Sequence, residues 1–258
     1  MDAAPIPPPS PEAPAPEPSS LTDRLTGVIT GPAKVFEEIK GAPVRASNWL
    51  VPLILACLVS AVYCAVAFSQ PAILRGLQEQ RDKAMQKQVA AGKITQAQAD
   101  QAAALTERFM TPAIMKTFGA ASAMLASVAG LFLMGLVLWL VLKCCPAARL
   151  SYMKVIEICG LSFVIDVPQK LLRSWLVLWK ENLLATASPA LFLANPSATN
   201  KTHLLLSMLD VVDFWWLAVL SLGLSKVASI RYRNAAFLTF AVWFGFRILA
   251  VLLTPSQS

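Results

Sequence analysis

Long apolar runs separated by polar segments set the pattern of this chain. Residues 49–68 and 118–142 contain no Asp, Glu, Lys or Arg. A helix of about 20 residues rises about 30 Å, which matches the hydrocarbon core of a bilayer. We therefore predict an all-α, polytopic helical membrane protein with about five transmembrane helices. The predicted crossings are residues 49–68, 118–142, 152–167, 209–228 and 235–253.

The third run is the least regular of the five. Lys154, Glu157 and Asp166 interrupt its apolar residues. Pro168 is expected to kink or stop the helix, because proline lacks an amide hydrogen and its ring clashes with the preceding turn. Residues 168–184 continue with tryptophans and cations. We interpret them as an amphipathic helix that lies at the interface or re-enters the membrane, with a full crossing as the remaining alternative.

The N-terminal part is polar and divides in two. Residues 1–20 hold eight prolines, and such a segment cannot bury enough apolar surface to offset the entropy lost on ordering. We predict a disordered tail there. Residues 21–48 follow helical spacing instead. Val35, Phe36 and Ile39 form one apolar stripe, which predicts an amphipathic interfacial segment lying in the headgroup plane.

Residues 69–117 form a polar insert between the first two crossings. Gly92 fits the end of a first helix. Thr95 and Gln98 have the spacing of a capping box that begins a second helix. The pattern predicts a helical hairpin in water, either simply solvated or serving as a platform for a partner protein.

Small residues recur along the first two crossings. Ala56, Ser60 and Cys64 form a row at four-residue spacing, and small residues cover one face of 119–130. Such rows let helix backbones approach closely in lipid. We predict that the first two crossings pack through these faces.

Composition and charge agree with a membrane protein. Only 14% of the residues are charged, whereas soluble domains carry about 25%. The net charge of +7 is explained by Lys and Arg that flank the apolar runs as headgroup anchors. Nucleic-acid binding is not predicted, because no basic stripe is interleaved with exposed aromatics.

The residue types that catalysis needs are sparse. None of the five cysteines belongs to a Cys-x-x-Cys pair, and His203 is the one histidine. Phosphate-binding loops, metal-binding motifs and nucleophile elbows are absent from the sequence. We therefore predict no enzyme activity, no catalytic residue, no cofactor and no metal site.

Three charged residues fall at similar depth inside the predicted crossings. Counting from the turn near Tyr232 places Asp213 and Arg247 within about 6 Å of the same depth at 1.5 Å per residue. Asp166 ends the third run on that side too. A charge in lipid usually finds a partner, so we predict an intramembrane Asp166, Asp213 and Arg247 cluster. Its two interpretations are an interhelical pair and a proton or ion relay.

Three stretches resemble a known family. Residues 31–39 read Gly-Pro-Ala-Lys-Val-Phe-Glu-Glu-Ile, a polar insert then precedes an apolar helix of small residues, and 209–216 read Leu-Asp-Val-Val-Asp-Phe-Trp-Trp before a basic turn. In this order, over about residues 25–253, they resemble the Yip domain family of Ypt/Rab-GTPase-interacting membrane proteins. The chain is more similar to the prokaryotic members.

The resemblance implies a five-helix membrane domain with a cytosolic N-terminus, and the cytoplasmic membrane as location if the protein is prokaryotic. Eukaryotic members are trafficking factors that bind prenylated small GTPases. This chain lacks the Asp-Leu-Tyr-Gly-Pro type stretch that those members carry before their first helix. GTPase binding is therefore not carried over, and the resemblance transfers no catalytic residue.

Two functions remain open from the sequence. The first is a membrane scaffold or adaptor that contacts a membrane or peripheral protein partner through the tail and the 69–117 hairpin. The second is a small-solute or ion permease that uses the intramembrane cluster. Both place the chain in the lipid bilayer.

The basic turns predict the orientation of the chain. Lys and Arg favour the cytoplasmic side, and the turn at 226–233 holds three of them, whereas residues 254–258 hold none. We expect a reporter fused ahead of Leu21 to read cytoplasmic, and reporters inserted at Gly92 or fused after Ser258 to read non-cytoplasmic. A cytoplasmic signal at Ser258 would reverse the assignment.

Overall fold

A computed structural model of the chain describes residues 19–109, 111–144, 148–193, 196 and 200–254. Regular structure in these residues is helical, with no strand. The predicted tail lies outside them, apart from Ser19 and Ser20. The α-helices are α1 (Leu21–Thr30), α2 (Pro32–Lys40), α3 (Ser47–Ala67), α4 (Pro71–Ala90), α5 (Gln96–Phe109), α6 (Pro112–Lys143), α7 (Tyr152–Ser162), α8 (Asp166–Lys180), α9 (Lys201–Ser207), α10 (Val211–Ala228) and α11 (Tyr232–Leu253).

Four helices among the described residues are long and apolar enough to cross a membrane. They are α3, α6, α10 and α11, and they coincide with the first, second, fourth and fifth predicted runs. Helix α6 is longer than its run, because Thr111 caps the backbone amide of Ile114 and Pro112 occupies the first turn. The all-α membrane architecture is thus confirmed.

The third predicted run forms a composite helix. Helix α7 ends at Ser162, the 3-10 turn Phe163–Ile165 follows, and α8 begins at Asp166. Of the two expected effects of Pro168, a kink or a stop, the structure shows an interruption of the helix and no stop. Pro168 lies in the first turn of α8, where its missing amide hydrogen has no intrahelical role. The distortion falls at the 3-10 turn, where the carbonyl of Val164 lacks its usual donor four residues later.

This composite helix runs beside α3 from one end to the other. The Asn48 amide donates to Glu157 Oε1 at 2.7 Å near the start of α3. Near the end of α3, Arg173 lies over the ring of Tyr63 at 5.7 Å, and Val177 packs with Ala67. Since α3 is long enough to cross the bilayer, the chain from α7 to the middle of α8 spans the same depth.

The other helices alternate in direction around α7. Helix α6 runs antiparallel to α3, with the Trp49 and Phe132 rings 5.7 Å apart. Helix α10 runs antiparallel to α7, with Trp216 and Phe163 rings 6.4 Å apart. One end of the bundle, which we call the N-terminal face, holds α1, α2 and the 229–231 turn. The opposite end, the insert face, holds α4, α5 and α9.

Helix α2 is docked on protein and does not present its stripe to lipid. Its apolar residues Val35, Phe36 and Ile39 are buried. The Phe36 ring lies against α10 at Gly223, where a Cβ would come within 2.7 Å of Phe36 Cε1. Helix α2 therefore covers the end of the bundle with its stripe on protein, where the absence of a side chain at Gly223 leaves room for the Phe36 ring. Its position in the headgroup plane stays a prediction.

The small-residue faces are used only in part. Ala56, Ser60 and Cys64 are buried on α3, as expected for a packing row. Helix α6 approaches α3 at Gly119, where a Cβ would meet the Phe68 ring. Ser122 and Ala126, which lie one turn apart on the adjoining face of α6, are exposed.

The insert is a two-helix hairpin, as predicted. Gly92 adopts a positive φ of 68° at the end of α4. The capping box forms, with the Thr95 amide donating to Gln98 Oε1 at 2.9 Å. The first turns of α4 contact the bundle, where Ile73 and Leu77 pack against Leu176 and Val177.

Gly160 provides a test of the close approach of α7 to α3. A Cβ at this position would overlap both the Cβ and the Cα of Trp49, whereas nothing lies within 4 Å of one added at Gly245 on α11. We expect Gly160→Ala to destabilise the protein by about 1–3 kcal/mol, as overpacking does. The control Gly245→Ala should cause no loss. Unfolding in SDS titrations measures both, and equal midpoints would contradict the packing.

Candidate functional site

Two of the three predicted charges meet at the insert face. Arg247 Nη2 lies 3.9 Å from Asp213 Oδ2, and Arg247 Nη2 also donates to the Ser207 carbonyl at 3.4 Å. Gln169 Nε2 donates to Asp213 Oδ1 at 2.6 Å. Charge-assisted hydrogen bonds measure about 2.7–2.9 Å, and the Arg247 side chain is 42% exposed. The pair therefore exists but is loose.

Asp166 belongs to a neighbouring pair and does not join the other two. Its Oδ1 lies 3.5 Å from Lys170 Nζ, one turn along α8. Its Oδ2 is buried without a hydrogen-bond partner in the described residues. Within that part of the chain no ion pair connects Asp166 with Asp213 or Arg247, so the predicted triad consists of two pairs.

A cavity of about 160 Å³ opens beside the Arg247–Asp213 pair. Helices α8, α10 and α11 supply its charged walls, and Asp210 contributes while its Oδ1 caps α10 through the amide of Val212 at 2.9 Å. Three cations and two carboxylates line it. The charged and amide side chains are Gln169, Lys170, Arg173, Asp210, Asp213 and Arg247.

Two guanidinium groups at this cavity have unused donors. The Nε atoms of Arg173 and Arg247 are buried and have no hydrogen-bond partner among the described residues. A buried donor without a partner costs about 1–3 kcal/mol. Because these Nε atoms expose almost no surface, a ligand in the cavity would meet the weakly used Nη donors of Arg247 instead.

A second polar cluster, which sequence reasoning missed, is buried at the N-terminal face. Glu157 is fully buried in α7, and its Oε2 lies 2.7 Å from Lys154 Nζ. Its Oε1 accepts from the Asn48 side-chain amide at 2.7 Å and from the Arg45 backbone amide at 3.1 Å. Lys154 Nζ also donates to the Ala42 carbonyl at 3.0 Å. This buried pair is surrounded by complementary groups.

The same cluster extends into the N-terminal helices. Arg24 is 3% exposed, and its Nη1 donates to Asn48 Oδ1 at 3.0 Å. Its Nε donates to Glu38 Oε1 at 3.3 Å. Burial opposes ionisation of Glu38, but hydrogen bonds from Ser19 and the charge of Arg24 hold the pKa of this carboxyl below its ordinary value. We call the set Arg24, Glu38, Asn48, Lys154 and Glu157 the latch cluster.

A further ion pair attaches α2 to α10. Lys226 Nζ lies 2.5 Å from Glu37 Oε1. The hydrogen bond and the charge of Lys226 lower the pKa of Glu37. Because both side chains are exposed, this pair contributes little compared with the latch cluster.

The sequence contained a signal for the latch cluster. Lys154 and Glu157 are three residues apart in an otherwise apolar run, which is the spacing of a helical ion pair. Their partner Asn48 lies 109 residues before Glu157, at the border of the first crossing. A single sequence does not show that two residues so far apart along the chain are in contact. The residue count that placed Asp213 and Arg247 at one depth did not extend to Asn48 and Glu157.

His203 and the cysteines are the remaining residues whose side chains are of a type that binds metal ions. His203 is buried in α9, where burial lowers its pKa and favours the neutral ring. Cys57, Cys64, Cys144 and Cys159 are free thiols, and Cys145 lies outside the described residues. In the described part of the chain, no three His, Cys, Asp or Glu residues are grouped closely enough to hold a metal ion.

The two clusters predict different responses to mutation. Glu157→Leu leaves the buried Lys154 charge without its partner and should cost about 3–5 kcal/mol, whereas the double variant with Lys154→Met should cost less. Arg247→Leu should cost about 1 kcal/mol or less, because the pair is loose and half-exposed. Unfolding free energies in detergent compare the three variants. A loss for Glu157→Leu no larger than that for Arg247→Leu would refute the assignment of a buried pair.

Comparison with known proteins gives no match. No protein-family model, no curated protein and no solved structure matches the chain. The function of the chain is therefore inferred from its own residues: a latch cluster at one end of a membrane bundle and a charged cavity at the other.

Proposed function

We propose that this chain is an integral membrane scaffold or adaptor of Yip-domain type, which holds a protein partner at the bilayer without catalysis. The observation that carries the proposal is the latch cluster, in which Arg24 on α1 donates both to Glu38 on α2 and to Asn48 on α3. A polar segment fixed this firmly to a membrane bundle gives a rigid base from which the preceding tail extends.

The insert supplies the second contact surface of the proposed scaffold. Beyond Ile73 and Leu77 most of α4 and α5 is exposed, and Leu105 is 55% exposed. Residues 69–117 carry seven Lys or Arg and four acidic residues. This charge favours a partner with an acidic surface, and its attraction falls as salt rises.

The Yip-domain assignment is supported by the order of the motifs quoted above and by the alternation of five passes. The first motif, residues 31–39, forms most of α2, and the last, residues 209–216, includes the start of α10. The protein would lie in the cytoplasmic membrane if it is prokaryotic, with the N-terminal face in the cytoplasm. GTPase binding is not part of the proposal, because the corresponding stretch is absent from the sequence.

The charged cavity favours a second candidate, a small-solute or ion permease. Asp213 and Arg247 have the partnered charges that mark membrane pathways in transporters. Beneath them, however, Leu217, Leu220 and Leu224 are fully buried along α10 and fill the bundle with apolar side chains. For this reason we rank the scaffold first.

Site-specific photocrosslinking tests the scaffold. A benzophenone amino acid in place of the exposed Gln88 on α4 should give one discrete protein adduct in native membranes. The matched control replaces Phe237, whose 77% exposed ring lies on a membrane-spanning helix. Raising the salt concentration should reduce the Gln88 adduct.

Flux measurements separate the two candidates. If the chain is a scaffold, proteoliposomes that contain it should show no solute or ion flux that depends on Asp213. A flux that is present in the wild type and abolished by Asp213→Asn would establish the permease. The absence of any adduct from Gln88, from other exposed insert positions and from the tail would contradict the scaffold.

A further inference from the structure

We propose that the cavity at the insert face binds a zwitterionic phospholipid headgroup, with its phosphate between Arg173 and Arg247 and its ammonium at Asp213. This inference goes beyond the scaffold function and does not depend on it. It follows from the depth of the cavity, its weakly used hydrogen-bond donors and its two signs of charge.

The cavity lies where headgroups lie. Asp213 is in the first turn of α10, and Arg247 lies six residues before the end of α11 at Leu253, which is about 9 Å. A long arginine side chain reaches the headgroup level from that depth. On the adjacent α8, the stacked rings of Trp175 and Trp179 are 5.6 Å apart and are each 58% exposed. Tryptophan is enriched at the headgroup level of membranes, and Lys180 lies 4.4 Å over Trp179.

The donors at the cavity suit a phosphate. A guanidinium has five N–H donors in a fixed fork, and it binds phosphate through parallel hydrogen bonds. Arg173 and Arg247 both line the cavity. The longer contacts of Arg247 Nη2, 3.4 Å to Ser207 and 3.9 Å to Asp213, leave the end of its guanidinium only weakly used. Phosphate oxygens would accept hydrogen bonds from these weakly used donors.

The carboxylates define the other half of the ligand. Asp213 Oδ1 accepts a hydrogen bond from Gln169, while its Oδ2 has the loose contact with Arg247. Asp210 uses Oδ1 to cap α10. Two carboxylates beside a phosphate site would repel an anionic ligand, whereas an ammonium one short linker away from the phosphate complements them.

The size and walls of the cavity fit such a lipid. About 160 Å³ corresponds to roughly five water molecules at about 30 Å³ each, which restricts the ligand to a small headgroup. Leu172 lines the cavity, and its neighbour Leu171 is 60% exposed. These leucines lead from the polar site to the lipid-facing surface, along which acyl chains would lie.

The experiment uses the full chain, purified in detergent and depleted of lipid. Calorimetry measures binding of dihexanoyl-phosphatidylethanolamine, dihexanoyl-phosphatidylglycerol, inorganic phosphate and ethanolamine. We expect the phosphatidylethanolamine to bind at least about tenfold more tightly than the other three. Arg173→Gln and Arg247→Gln should each weaken its binding about tenfold or more, because each removes charged hydrogen bonds to the phosphate. Asp213→Asn should remove the preference for phosphatidylethanolamine over phosphatidylglycerol.

The control is Arg231→Gln, which removes an exposed cation at the N-terminal face and should leave binding unchanged. Elution as a single species in size-exclusion chromatography shows that a variant is folded. A second measurement is independent of titration: native mass spectrometry should find phosphatidylethanolamine retained by the wild type and lost from Arg247→Gln/Asp213→Asn.

Three outcomes would overturn the proposal. Equal binding by the wild type and both arginine variants would show that the cavity is not the site. Inorganic phosphate that binds as tightly as the lipid would identify a site for free phosphate. Tighter binding of phosphatidylglycerol would show that the carboxylates do not select an ammonium.

Discussion

The buried ion pair of Lys154 and Glu157 is the interaction on which the rest of the bundle depends. Removing two charges from water is expensive, and their mutual attraction offsets that cost only when the remaining hydrogen-bonding groups are satisfied. Here the satisfying groups come from three parts of the chain: the 42–45 connection, Asn48 on α3 and, through Asn48, Arg24 on α1. The pair thus fixes which helices surround α7, in addition to holding α7 in place.

The two ends of the bundle treat their charges in opposite ways. At the N-terminal face the charged atoms of Lys154 and Glu157 each have hydrogen-bond partners about 3 Å away. At the insert face the two ion pairs are longer, 3.5 Å for Lys170–Asp166 and 3.9 Å for Arg247–Asp213. Two guanidinium Nε atoms and one carboxylate oxygen of Asp166 have no hydrogen-bond partner in the described residues. A satisfied network gives rigidity, whereas an unsatisfied one has capacity for a ligand.

Sequence reasoning reached the fold wherever a local pattern determines it. Uncharged runs identify α3 and α6, because lipid accepts little else over that length. Depth counting brought Asp213 to Arg247, because a straight helix converts residue number into distance.

It failed where a distant residue decides the outcome. The apolar stripe of α2 has the pattern of a lipid-facing helix, but it packs on protein, and Gly223 on α10 leaves room for its Phe36 ring. Asp166 has the right depth for the charge cluster, but Lys170 on its own helix is the nearer partner.

The side-by-side course of α3 and the α7–α8 composite has a consequence for biogenesis. A run that carries Lys154, Glu157, Asp166 and Lys170 partitions poorly into lipid as a separate segment, since charged residues oppose membrane insertion. Its buried Glu157 accepts a hydrogen bond from Asn48, which is synthesised 109 residues earlier. Because residues 49–67 of α3 carry no charge, α3 is able to enter the bilayer alone, and its packing surface is then already in place when α7 follows.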